Sequence, residues 1–354
     1  MTIQLPVVGT SLAALMVAAV VALITTPIVR TLAFKVGAVD VPKDARRMHK
    51  HPIPRMGGLA IFFGFILSTL VFMPLTEQLR GMLLGAVLIV ILGIFDDIYA
   101  LPAKPKFLVQ IVAATIAAMS GNCVEFLSNP NIFSSEPYWE LGWFSIPFSV
   151  LWIVGITNAV NLIDGLDGLA CGVSAIASLT MFAVALLVAE SNVAVLLAAL
   201  MGACLGFLPY NMNPAKVFMG DTGALLLGYL LATLSVVGMF KFYAIVTFIV
   251  PVLALALPLL DTLFAIVRRV LRGQSPFTPD RGHLHHRLVD LGLNHKQAVA
   301  LMYAISALLG LCAVVVVSTG PVRIFLLVVA VAVALVISRY ISNTVSHSDD
   351  HKSK

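Results

Sequence analysis

GMLLGAVLIVILGIFDDIYA, residues 81–100, holds an apolar run long enough for one membrane crossing and a pair of acids at its end. It runs without a charge from Gly81 to Phe95 and then meets two aspartates, Asp96 and Asp97. Crossing the hydrocarbon core of a bilayer takes about 20 residues of helix, which this run supplies. The pattern predicts a membrane-spanning helix with its ionisable groups held at one end.

The same kind of block recurs along the chain, at 5–28, 57–75, 81–99, 106–121, 145–160, 169–189, 193–210, 215–237, 243–266, 297–318 and 321–341. With 60% hydrophobic residues, 11% charged residues and a mean hydropathy of +1.02, the composition is that of a multi-pass membrane protein and excludes a soluble domain. The expected fold class is therefore all-α, a multi-pass integral membrane protein of about eleven transmembrane helices. The first block is too long for a signal peptide and lacks both a basic leader and a small-residue cleavage site, so it is expected to be retained. Residues 1–341 make one polytopic domain, and 342–354 a short polar tail expected to be disordered. Cys123, Cys171, Cys204 and Cys312 are scattered without CxxC spacing, which favours packing over a disulfide framework or a thiolate metal site.

With alternating loops, all of the 22 lysines and arginines except Arg80, Lys241 and Arg323 fall on one side. By the positive-inside rule the N-terminus is outside and the C-terminus cytoplasmic. The net charge of +5 thus orients the chain and attracts anionic lipids and substrates; it implies no nucleic-acid partner.

Ionisable groups at membrane segments suggest function by default. Here they gather at the cytoplasmic edge. Asp96 and Asp97 close one helix; NAVNLIDGLDGLA places Asn158, Asn161, Asp164 and Asp167 at the end of another and its following turn; GDTG opens a third at Asp221. SPFTPDRGHLHHRL, residues 275–288, lies in the inner loop between the ninth and tenth helices. Adjacent helical aspartates point about 100° apart, so one can meet a cation while the other meets a different partner. Hard oxygen donors from separate segments suit Mg²⁺, which keeps some waters and completes its shell with substrate phosphate. Asp221 can cap the free N–H groups of its helix, and those groups also suit a phosphate.

Each motif alone has a structural reading. Paired aspartates can be a solvated helix end, GDTG an N-cap, and NxxDGxDG a turn between helices. Asp261 can pair with Arg268 or Arg269, or brace the site. His283 and His286, at i, i+3 with His285 between them, could be zinc ligands, but no cysteine is near, and Arg281 and Arg287 would repel a cation. A positive, donor-rich loop facing carboxylates suits an anionic substrate better: arginine can clamp a diphosphate while histidine bonds sugar hydroxyls or an amide.

In this order, FDD, NxxNxxDGxDGL, KVFMGDTG and PDRGHLHH, preceded by PRMGG at 54–58, resemble the polyprenyl-phosphate N-acetylhexosamine-1-phosphate transferases, of the glycosyltransferase 4 type. The resemblance covers nearly the whole chain. The PDRxHxHH form is most similar to the branch that uses UDP-N-acetylglucosamine to begin common antigen, O-antigen or wall teichoic acid. One departure is Ala224, where the family usually has serine after the MGDxG sequence.

The resemblance implies transfer of GlcNAc-1-phosphate from UDP-GlcNAc to undecaprenyl phosphate with Mg²⁺ (Mn²⁺ as a substitute), on the cytoplasmic face of a bacterial inner membrane, in a chain able to form a homodimer. It implies Mg²⁺ contacts at Asp221 and Asn161. Asp96 and Asp97 would orient or deprotonate the lipid phosphate or assist the metal. Asp164, Asp167 and Phe218 would line the nucleotide site, with Phe218 stacking on uracil, while Arg281, His283, His285 and His286 would hold the sugar diphosphate. Lys43 and Arg55 are candidates for nucleotide or phosphate contacts, although solvated positive-inside charge accounts for each. The alternative within the family is an enzyme taking UDP-MurNAc-pentapeptide or another UDP-N-acetylhexosamine. A secondary transporter would instead place its polar groups near the bilayer midplane.

Overall fold

The computed structural model of the protein describes residues 5–41, 51–128, 138–239, 246–274 and 282–352. Its helices are α1 (Leu5–Val36), α2 (Gly58–Phe72), α3 (Glu77–Tyr99), α4 (Ala103–Met119), α5 (Ser145–Ile163), α6 (Leu169–Leu187) and α7 (Ser191–Asn211). They are followed by α8 (Gly220–Met239), α9 (Val246–Ala254), α10 (Ala256–Leu271), α11 (Leu284–Asp290), α12 (His295–Val317) and α13 (Gly320–Lys352). Two small antiparallel ladders complete the described structure: β1 (Val39–Asp40) with β2 (Ile53–Pro54), and β3 (Phe126–Ser128) with β4 (Tyr138–Glu140).

Among the described residues, eight helices are long and apolar enough to cross a membrane: α1, α3, α5 with its preceding turn, α6, α7, α8, α12 and α13. The other apolar blocks are shorter or broken. Helix α2 has 15 residues, about 22 Å of rise against a hydrocarbon core of roughly 30 Å. Helix α4 has 17 and begins with Lys104 and Lys106 in its first turn. The block expected at 243–266 is two helices, α9 and α10, meeting at Leu255. Pro258 has no N–H to return to the Ala254 carbonyl, so the ladder is interrupted there. The polar C-terminal stretch, expected to be disordered, continues α13 as helix through Lys352.

Several hydroxyls inside the helices are satisfied by their own helix, as an apolar solvent favours. Thr26, Thr157, Ser178 and Thr233 each donate to the carbonyl four residues earlier. Ser68 donates across to Ala14 at 2.7 Å and ties α2 to α1. Helix α8 occupies the centre, packed by α2, α3, α5, α6, α7 and α9. It approaches two of them backbone to backbone: a Cβ on Gly93 of α3 would lie 2.3 Å from Thr222 Cα, and one on Gly58 of α2 would lie 2.0 Å from Gly223 N. With Gly228 of α8 set against Thr157 of α5, these crossings bring the ends of α3, α5 and α8 to one edge.

Candidate active site

The N-terminus of α8 is the organising point. Its first free N–H groups, which no helical carbonyl can satisfy, are taken by a carboxylate from another helix. Asp97 Oδ1 accepts from Asp221 N at 2.9 Å, and Asp97 Oδ2 accepts from Thr222 N at 3.1 Å and Thr222 Oγ1 at 2.6 Å. The negative charge also complements the positive end of the helix dipole. Asp221, expected to cap this helix, therefore does not; Asp97 does so from α3. Arg55 Nε lies 3.7 Å from Asp97 Oδ1, and Arg55 Nη2 lies 4.0 Å from Asp221 Oδ2. Arg55 is thus a member of the carboxylate cluster rather than a solvated charge. It is delivered there by the 53–58 segment, whose backbone is bound to Phe218 and Met219 at Pro54, Gly57 and Gly58.

The neighbouring aspartate, turned by the helical angle between them, makes different contacts while still reaching Asp221. Asp96 Oδ2 accepts from Lys106 Nζ at 2.6 Å, and its Oδ1 accepts from Leu101 N at 2.8 Å. From α5, Asn161 Nδ2 donates to Asp221 Oδ1 at 2.6 Å. Asp164 follows the last residue of α5, half-buried in the turn. Burial, with the charges of Asp221 and Asp97 close by, pushes its carboxyl up to about 8. Asn158 is engaged elsewhere, pairing with Gln110 of α4.

No group of three or more His, Cys, Asp or Glu side chains among the described residues is arranged to hold a metal ion by itself. The donor chemistry at Asp221 and Asn161 still fits a hard cation that keeps waters and takes substrate oxygens. Asp221 is partly exposed, its side chain 23% accessible. Asn161 would offer Oδ1 by turning its amide, a choice the hydrogen bonding decides.

Asp167 braces the turn after α5. Its Oδ2 accepts from Asn213 Nδ2 at 2.8 Å and Ala215 N at 3.1 Å, and its own N–H donates to His295 Nε2 at 2.8 Å. Beside it lies a cavity of about 450 Å³, lined among others by Phe218, Lys216, Arg30, His51 and His295. Phe218, half-buried on its rim, is the aromatic surface that the sequence placed with Asp167.

The histidine segment forms the short helix α11. Asp261, read from the sequence as an arginine partner or as a brace for the site, takes the bracing role. Its Oδ2 lies 2.9 Å from His283 Nδ1, and its Oδ1 accepts from Leu284 N at 2.7 Å, so it braces the histidines. His285 packs over the α5–α6 turn, where a Cβ on Gly165 would lie 2.2 Å from its Nε2. Burial, reinforced by His286, lowers the His285 imidazole to about 4, so it is neutral at pH 7. His286 lies against His285, their ring centroids 4.2 Å apart. The structure therefore brings Asp96, Asp97, Asn161, Asp164 and Asp221 to one edge and rests the histidines on the same turn. Arg281 and Lys43 lie outside the described residues.

Lys106 and His295 were not legible as site residues. Lys106 counted only as an orienting charge, and His295 follows an ordinary N-cap asparagine. Their partners, 10 and 128 residues away, supply the meaning.

Comparison with known proteins bears on this arrangement. The family model for Glycosyl transferase family 4 matches residues 79–239, which contain α3, α5 and α8. The chain is 45% identical over 303 residues to a Bacillus subtilis (strain 168) protein named probable undecaprenyl-phosphate N-acetylglucosaminyl 1-phosphate transferase, covering 85% of this chain and 84% of that one. It is 37% identical over 319 residues to the decaprenyl-phosphate N-acetylglucosaminephosphotransferase of Mycobacterium tuberculosis (strain ATCC 25618 / H37Rv), covering 81% and 77%. It is 32% identical over 282 residues to a phospho-N-acetylmuramoyl-pentapeptide-transferase of Staphylococcus aureus (strain MW2), covering 75% and 85%.

Proposed function

The chain belongs to glycosyl transferase family 4, and from that premise we propose that it transfers N-acetylglucosamine-1-phosphate from UDP-N-acetylglucosamine to undecaprenyl phosphate. An oxygen of the lipid phosphate attacks the β-phosphorus of the nucleotide sugar. The bond from that phosphorus to the bridging oxygen breaks, so UMP leaves and undecaprenyl-diphospho-N-acetylglucosamine forms. The reaction takes place at the cytoplasmic edge of a bacterial inner membrane, as the first membrane step of an envelope polysaccharide.

The observation that carries the reading is the convergence at the start of α8, where Asp97, Arg55 and Asn161 hold Asp221 from three other segments. Phosphoryl transfer depends mainly on positioning and charge neutralisation, which such a cluster supplies. Asp221 and Asn161 are the residues that would hold Mg²⁺, whose chemistry is to neutralise the diphosphate. Asp97 keeps the α8 N-terminus in place, and with both oxygens engaged it acts as a positioning group. Asp96, paired with Lys106, orients the lipid phosphate at the same edge. That phosphate has a second pKa near 6 and is largely dianionic at neutral pH, so a strong base is not required. The cavity beside Asp167 takes the nucleotide, with Phe218 against the uracil. His283, fixed by Asp261, and His285 and His286 of α11 face the sugar diphosphate.

The test is a transfer assay with purified protein in detergent, undecaprenyl phosphate, and labelled UDP-GlcNAc or UDP-MurNAc-pentapeptide, with Mg²⁺ or with excess chelator. Labelled lipid and UMP from UDP-GlcNAc alone, abolished by the chelator and restored by Mg²⁺ or Mn²⁺, is the expected result. Turnover of the pentapeptide nucleotide alone would move the chain to the other branch, and no turnover by folded protein of either would overturn the reading.

A further inference from the structure

His295 is half-buried at the first turn of α12, where a capping box between Asn294 and Gln297 fixes the start of the helix. Its Nε2 accepts the main-chain N–H of Asp167, 128 residues earlier in the chain. That bond requires Nε2 to be the unprotonated nitrogen. The N–H belongs to the turn just ahead of α6 and has no helical carbonyl to meet. Asp167 in turn holds Asn213 and the backbone of Ala215, in the loop that leads to Phe218. A second bond from α12, Tyr303 Oη to the Gly168 carbonyl, anchors the next residue of the same turn. Asp167, Asn213, Ala215, Phe218 and His295 all line the one cavity.

We propose that His295 is a positioning residue for the nucleotide: by accepting the Asp167 N–H it holds the α5–α6 turn and the Phe218 loop in the shape that receives a pyrimidine nucleoside phosphate. The inference rests on the transferase reading and adds to it a residue from outside the family-matched segment. It separates two jobs at the α11–α12 end of the protein. The histidines of α11 face the sugar diphosphate, while His295 acts through Asp167 on the nucleoside.

The experiment measures UMP binding by calorimetry, alongside steady-state kinetics with UDP-GlcNAc and undecaprenyl phosphate, on wild type, His295→Leu, His295→Gln and Gln297→Ala. Leucine removes the acceptor, glutamine supplies an oxygen near the place of Nε2, and Gln297→Ala opens the capping box without touching Asp167. The expected result for His295→Leu is a loss of UMP affinity and a rise in nucleotide-sugar KM, each about tenfold, the scale of one unmade buried hydrogen bond. Its kcat and its KM for the lipid stay within about twofold of wild type, a split set by the absence of any contact to the reacting atoms. His295→Gln recovers most of the loss, and Gln297→Ala shows none of it.

An unchanged UMP affinity in His295→Leu would overturn the proposal. So would an equal loss in Gln297→Ala, which would trace the effect to fraying of α12, or a glutamine variant no better than leucine. If wild type binds UMP but turns over a different UDP-sugar, only the sugar assignment fails and the His295 result stands. If wild type binds no UMP, both fail together.

Discussion

Helices α8 and α13 each start at a glycine of positive φ, 71° at Gly220 and 63° at Gly320, yet they lie in opposite surroundings. Of the α8 segment Gly220–Val237, 89% is buried inside the protein; of the α13 segment Gly320–Arg339, 6% is. The more apolar of the two is the exposed one, with mean hydropathy 2.6 against 1.5. In water that ordering would be reversed. In lipid the surroundings are as apolar as any side chain, so burial is selected by close packing and by polar groups that need partners. Helix α8 has both, in Gly223 and Gly228 at its crossings and in Asp221, Thr222, Thr233 and Ser235 with their bonds. Helix α13 offers Ile324, Phe325, Val328, Val331 and Val336 outward and packs on α12.

Substitutions test the difference between the two helices. The largest effect is expected for Asp97→Ala, which leaves the Asp221 and Thr222 N–H groups without their acceptor. Each unmade buried bond costs about 1–3 kcal/mol, and with α8 displaced, activity should fall about a hundredfold or more. Asp221→Asn should lower turnover on the same scale while leaving the melting temperature within a few degrees, because the helix keeps its cap. Equal melting losses in the two variants would show that Asp97 does not have the structural role assigned here.

Gly93→Leu comes next. Its side chain would enter the α3–α8 crossing against Thr222, and overpacking of this kind costs about 1–3 kcal/mol, readable as a lower melting temperature in detergent. The histidine helix should respond to pH. His285 has a folded-state value near 4, against an ordinary one near 6.5, so the unfolded segment binds more protons in between. The stability it lends is fully present above about 6.5 and lost progressively as pH falls toward about 4. Hydrogen exchange across residues 284–290 should accelerate over that window in wild type, and the slope should be much smaller in His285→Phe. The smallest effect is expected on α13, where Val328→Leu and Val331→Leu should change stability by less than about 0.5 kcal/mol. Losses there matching Gly93→Leu would mean that α13 is packed against something other than lipid.

The apolar blocks were legible because length and hydropathy are local properties. They located α3, α5 to α8 and α12 to within a few residues, while α1 runs on to Val36, eight residues past the block read for it. The break between α9 and α10 was signalled by Pro258, but hydropathy averages over a proline that the hydrogen-bond ladder cannot ignore. The helix at Leu284–Asp290 was hidden because seven helical residues, set among charges, show no apolar period long enough to read.

Sequence alone determined that this chain lives in a membrane and that its carboxylates, amides and histidines collect at block ends, and its ordered motifs identified the family. Those conclusions rest on composition and short spacing, which a linear chain displays directly. Tertiary structure decided which of those groups are already engaged. Asp97 is bound to Thr222, 125 residues on, and Asp167 to His295, 128 residues on, while Asp261 holds His283. A hydrogen bond at 3 Å depends on where two backbones cross, and no periodicity along the chain encodes that crossing.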